Sequence, residues 1–147
     1  MSVMENSIVI QRPVAEVFAY INDYNNDPHW RGGVRTMTQS TPVTQVGTET
    51  HELLHFMGSD YLTDAQITEF VPNSKSAFES TKATFPVSGW RLVEAVNGGT
   101  RLTMHTEIEI GGLMTLASPL LVTAFSRQMR ADLIMLKRIL EHLSSGD

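Results

Sequence analysis

Apolar and polar positions alternate along most of this chain, and where alternation stops they recur at helical spacing. Residues 4–11 carry the β-branched Ile8, Val9 and Ile10 and predict a first strand. Pro13 then opens a helix on which Val14, Val17, Phe18 and Ile21 fall at i, i+3, i+4 and i+7. The polar run 22–26 ends that helix. Asp27-Pro28 starts a second, short helix through Trp30, and Gly32-Gly33 breaks it.

Residues 34–41, 48–57, 60–71, 74–81, 87–96 and 100–110 alternate as strands. Between them lie Pro42, Gly47, Gly58-Ser59, Pro72-Asn73, Pro86 and Asn97-Gly98-Gly99. Loops this short join antiparallel neighbours. The tail is a helix whose true start is marked by Pro119, after a separate turn over 112–118. Leu121, Phe125, Met129, Leu133, Leu136, Leu140 and Leu143 form its apolar stripe. The expected architecture is α+β: seven antiparallel strands, one long C-terminal helix, and two short helices between strands 1 and 2. One helix and a wider twisted sheet must cover each other, and a cavity between them is a reasonable product of that layout.

The length of 147 residues fits one domain, 1–147. Acids outnumber bases 16 to 11, which argues against nucleic acid as a partner. The absence of cysteine removes disulfides, thiolate metal sites and Cys nucleophiles together. With no basic n-region or long apolar run at the start, the expected location is cytoplasmic. Residues 110–126 are 17 positions without a charge, short of the ~20 a membrane span needs and interrupted by Gly and Pro. No stable membrane insertion is expected.

Several local runs, in this order, are similar to a known family. They are Ile8 through Phe18, Trp30, Val46-Gly47-Thr48, and Ile67 through Pro72. Gly98 through Thr103, Gly112-Leu113, Ser118-Pro119-Leu120 and Leu136 through Glu141 complete the set. Together they resemble the polyketide cyclase/dehydrase and lipid-transport family of the SRPBCC (START-like) superfamily, over nearly the whole chain. The resemblance implies the helix-grip fold, with sheet order 1-7-6-5-4-3-2 wrapped around the last helix and a hydrophobic pocket between them. It also implies lipids, sterols, quinones, plant hormones or polyketide intermediates as ligand classes. It brings no catalytic signature.

Strand parity selects the residues that face such a pocket. Tyr61, Ala65 and Ile67 share one face of their strand. A Gly58-Ser59 turn pairs Phe56 with Tyr61, Leu54 with Thr63 and Glu52 with Ala65, sending Thr48, Thr50, Glu52, Leu54 and Phe56 inward and His51 and His55 outward; a one-residue bulge reverses this. In the last strand Leu102, Met104, Thr106, Ile108 and Ile110 face in. A three-residue turn Asn97-Gly98-Gly99 turns Trp90 and Leu92 inward, whereas a two-residue turn turns Arg91 and Val93 inward; the former is preferred. The expected ligand-binding set is Thr50, Glu52, Phe56, Tyr61, Phe78, Trp90, Met104, Thr106, Phe125 and Met129, with Ser80 as a further polar point. It is mostly apolar with a few polar anchors, as ligand sites are.

Glu52 is the one ionisable group placed mid-strand on the inward face. Buried there, it stays protonated, reaches a hydroxyl such as Thr50 or Thr106, or meets an Arg from a neighbouring element. His51 and His55 sit ~13 Å apart on a strand and cannot share a metal ion. Glu107 and Glu109 alternate with the apolar set and face water. There is no G-x-S-x-G elbow and no phosphate loop. Neither a metal nor any cofactor is expected.

The leading expectation is a binder of a small hydrophobic ligand. The alternative is a cyclase/aromatase or dehydratase using Glu52, Tyr61 or His29 as acid–base groups. A third reading is an interaction module, or a homodimer, formed through the apolar segment 113–125.

Overall fold

The computed structural model describes residues 1–145, apart from the side chains at 113 and 143–145. The element order is β1 (Ser2–Ile10), α1 (Val14–Ile21), α2 (Asp27–Trp30), β2 (Val34–Gln39), β3 (Glu49–Phe56), β4 (Ser59–Val71), β5 (Lys75–Ala83), β6 (Val87–Val96), β7 (Gly99–Ile108) and α3 (Ser118–Ser145). Short 3-10 helices occupy Tyr24–Asn26 and Gly112–Ala117. The sheet is antiparallel throughout, in the order β1-β7-β6-β5-β4-β3-β2. This is the helix-grip arrangement. Pro13 sits at the cap of α1 in extended backbone, one position earlier than the first helical residue.

The two halves of α3 do different work. Leu133, Leu136 and Leu140 join Ile10, Val17, Phe18, Ile21, Trp30, Val93 and Leu102 in the main core. These side chains are nearly water-free, and each is held there by ~25 cal/mol per Å² of apolar surface removed from water. The N-terminal half carries Phe125 and Met129 on the same stripe; both line a cavity, and Met129 also packs against this core. Leu113 and the Leu143 end of the stripe lie outside the described side chains.

Two turns set the parity of the site. The β3–β4 turn is Met57-Gly58, with Phe56 opposite Ser59, Leu54 opposite Tyr61 and Glu52 opposite Thr63. Both turn residues have positive φ, +50° and +81°, as a two-residue hairpin of this twist requires. The expected Gly58-Ser59 turn therefore shifts by one residue and the register by two, so the inward face stays the same. The β6–β7 turn is Asn97-Gly98, with Val96 opposite Gly99. This two-residue turn overturns the preferred parity of β6: Arg91 and Val93 are buried, and Trp90 and Leu92 face the other way.

Candidate functional site

A cavity of about 170 Å³ lies between the sheet and the first half of α3. Its apolar wall includes Met4, Met37, Leu54, Phe78, Met104, Phe125 and Met129. Tyr61 packs edge-on to Phe125 at 5.6 Å between centroids and lies 5.7 Å from Phe85. The sheet can curve tightly beneath Phe78 because position 89 has no side chain. A Cβ on Gly89 would stand 2.3 Å from the His105 carbonyl oxygen and 3.1 Å from the Phe78 ring.

Of the expected ligand-binding residues, Thr50, Glu52, Tyr61, Phe78, Trp90, Met104, Thr106, Phe125 and Met129 line this cavity. Phe56 stands just behind the wall, stacked on Phe125 at 4.7 Å. Ser80 faces the same side of β5 and accepts a hydrogen bond from the Val87 N–H at 3.0 Å. Trp90 contributes to the cavity wall, but the expected inward ring is not found: the ring lies on the face of the sheet opposite to Arg91. There it lies parallel to the His105 ring at 4.9 Å, with the Lys75 ammonium 5.5 Å away. His29 is exposed on α2 and does not line the cavity. His51 and His55 point outward, each bonded to its own carboxylate, Asp64 at 2.8 Å and Asp60 at 2.6 Å. Among the described residues no group of three or more His, Asp or Glu could hold a metal ion.

One end of the cavity is a charged network. Asp27, with no exposed surface, accepts from Arg91 Nη2 at 2.7 Å and from Arg31 Nη1 at 3.0 Å through Oδ2. Arg31 Nη1 also donates to Glu52 Oε1. Of the three fates open to a buried Glu52, the ion pair with an Arg is the one realised. Arg91 reaches further, to the Ile21 carbonyl at the end of α1, at 2.5 Å. Its guanidinium lies over the rings of Tyr24 and Trp30, at 4.5 and 5.1 Å. Burial by itself would lower the pKa of Arg91, but Asp27, with a smaller contribution from Tyr24, raises it. Arg31 behaves likewise, burial being outweighed by Glu52 and Asp27.

Asp132 completes this end from α3. Its Oδ1 accepts from the Gly32 N–H at 2.9 Å and from Gln128 Nε2 at 2.7 Å. Burial pushes its carboxyl pKa up, against the pull of these two donors and of Arg31. Sequence reasoning missed Tyr24, Arg31, Arg91, Gln128 and Asp132 as site residues. For Asp132 the signal was present, because it lies three residues after Met129 and four before Leu136, inside the apolar stripe.

A sequence profile of the polyketide cyclase/dehydrase and lipid-transport family matches residues 1–141. The chain belongs to this family. Among curated protein sequences none matches significantly. Solved structures of this helix-grip kind are similar to it in fold. A protein of Thermus thermophilus superposes with TM-score 0.86 at 15% identity, over 99% of this chain and 100% of the other. A START superfamily protein from Mycobacterium smegmatis gives 0.80 at 9% identity, over 96% and 98%. The Zhui aromatase/cyclase from a Streptomyces species gives 0.74 at 13% identity, over 92% and 91%. At these identities the likeness is one of fold. The family is broad, and the cavity's own residues must carry the functional argument.

No helix among the described residues is long and apolar enough to cross a membrane. The segment 113–125 exposes Met114, Leu116 and Leu120, while Leu121 and Phe125 turn inward.

Proposed function

We propose that this protein binds a small, largely apolar molecule in the cavity between the sheet and the first half of α3. The single observation that carries this reading is the cavity itself: about 170 Å³, walled by aromatic rings and methionines. An apolar void of ~150 Å³ takes up benzene. A space of this size therefore suits one ring or a small fused pair, and a longer ligand would extend beyond it. Methionine adapts to irregular guests, which fits a wall holding Met4, Met37, Met104 and Met129.

The charged residues support binding over acid–base turnover. Glu52 is tied to Arg31, Tyr61 is packed among rings, and His29 is outside the cavity. A catalytic reading is favoured by one observation only. Asp132 lines the cavity, and burial raises its pKa toward the range of a general acid. In that reading Asp132, and not Glu52, Tyr61 or His29, donates the proton in a cyclisation or dehydration.

Titration with naphthalene, followed by calorimetry or ligand-observed NMR, tests the proposal. We expect saturable one-to-one binding. Ala65→Leu, which adds side-chain volume at the cavity wall, should abolish it while the circular dichroism stays native. Equal naphthalene binding by the native protein and a folded Ala65→Leu variant would place the ligand elsewhere. Turnover of an aromatic polyketide analogue that Asp132→Asn removes, with binding retained, would establish the catalytic reading.

A further inference from the structure

Two buried donors at the charged end of the cavity have no acceptor. The Tyr24 hydroxyl has no hydrogen-bond partner in the protein, and neither has Arg91 Nε. Tyr24 and Arg91 are 3% and 4% exposed, both line the cavity, and the guanidinium lies 4.5 Å above the phenol ring. They thus occupy one corner. A buried donor left unmade costs ~1–3 kcal/mol, and native structures rarely leave two side by side. The charged groups of this corner are matched with one another: Arg91 Nη1 and Nη2 serve Ile21 and Asp27, and Arg31 serves Asp27 and Glu52. The Trp30 indole N–H and Asn22 Oδ1 are also buried without a partner, but neither residue lines the cavity.

We infer that the Tyr24–Arg91 corner receives a carbonyl oxygen of the ligand, and that Tyr24 is the residue selecting for it. The inference rests on the cavity being the binding site and adds the chemical class of the guest: a ring-sized apolar body ending in a neutral hydrogen-bond acceptor. Arg91 Nε can only donate and the Tyr24 hydroxyl is able to donate, so a single partner that satisfies both is an acceptor. The acceptor is neutral because the charges are already matched. Asp27 and Glu52 answer the two guanidiniums, and Asp132 adds a third carboxyl to the same cavity wall. An anionic head would meet those carboxylates without a free cation to hold it. The raised pKa of Asp132 agrees with a site that has no positive charge to spare.

Three probes with one skeleton separate the possibilities: indane, 1-indanone and indane-1-carboxylate, titrated into the native protein and into Tyr24→Phe. We expect 1-indanone to bind about tenfold tighter than indane, the scale of one or two hydrogen bonds. The carboxylate should bind no better than indane. Tyr24→Phe should remove most of the carbonyl advantage and leave indane unchanged. Because that hydroxyl makes no bond in the protein, the unliganded variant should melt at the same temperature or higher. Equal affinity for indane and 1-indanone overturns the inference but keeps the cavity reading, with water as the occupant of the corner. Preference for the carboxylate overturns the neutral head. An unchanged ratio in Tyr24→Phe, or a variant that melts well below the native protein, overturns the role of Tyr24. Failure of all three probes to bind overturns the cavity reading and this inference with it.

Discussion

Asp27 and Arg91 form a buried two-pronged ion pair, at 2.7 and 3.3 Å, between the first turn of α2 and the middle of β6. The pair joins the helical segment to the sheet at the level of the cavity. The same guanidinium caps α1 at Ile21, where a cation meets the negative end of the helix.

Removing one partner of such a pair leaves the other charge buried alone. Asp27→Asn is therefore expected to cost about 3–5 kcal/mol in urea denaturation, with an unchanged slope. A loss below about 1 kcal/mol would mean that the pair is solvated.

Asp132 gives a pH signature. Its pKa is raised in the folded state, so between the ordinary Asp value of about 4 and the raised value the folded protein holds more of the proton. Stability from this group is full below the ordinary value and falls as pH rises through the raised one. The difference in unfolding free energy, native minus Asp132→Asn, should therefore decrease from about pH 4 up through the raised value and then level off. A difference that grows with pH would show a lowered pKa.

Ligand binding should leave the Trp90 signal nearly untouched, because the ring stacks on His105 on the face of the sheet opposite to Arg91. Trp30, buried under Arg91, is the indole that neighbours the charged end. A fluorescence change on binding should survive Trp90→Phe and be lost in Trp30→Phe. Loss in Trp90→Phe would put the guest on the face opposite to Arg91.

Gly89→Ala should destabilise the protein by about 1–3 kcal/mol, since the new Cβ meets the main chain of β7, which cannot swing aside. Ser88→Ala, one residue earlier on the opposite face, should stay within about 0.5 kcal/mol. Thermal or chemical denaturation of the pair of variants reads this directly.

Most of the sheet was legible because its strands alternate cleanly and its turns are short. The inward face of β3 survived a turn misplaced by one residue, because the register moved by two. β6 did not survive its ambiguity. The string Val96-Asn97-Gly98-Gly99-Thr100 admits a turn of two or three residues, and that one residue reverses every side chain on the strand. Trp90 looked like a pocket residue by size and hydrophobicity, and Arg91 looked like surface. The burial of Arg91 depends on Asp27, 64 positions away in sequence, which no local pattern reveals. Tyr24 was hidden for another reason. It stands in the polar run 22–26, and its burial comes from packing beside Val34, Met37 and Ile67.

The division of α3 has a consequence for how this protein can change. Phe125 and Met129 shape the space for a guest, whereas Leu133, Leu136 and Leu140 hold the sheet closed. Appetite and integrity are thus written on successive turns of one helix. New guests can be sampled by altering the earlier turns, one side chain at a time, while the later turns keep every intermediate folded.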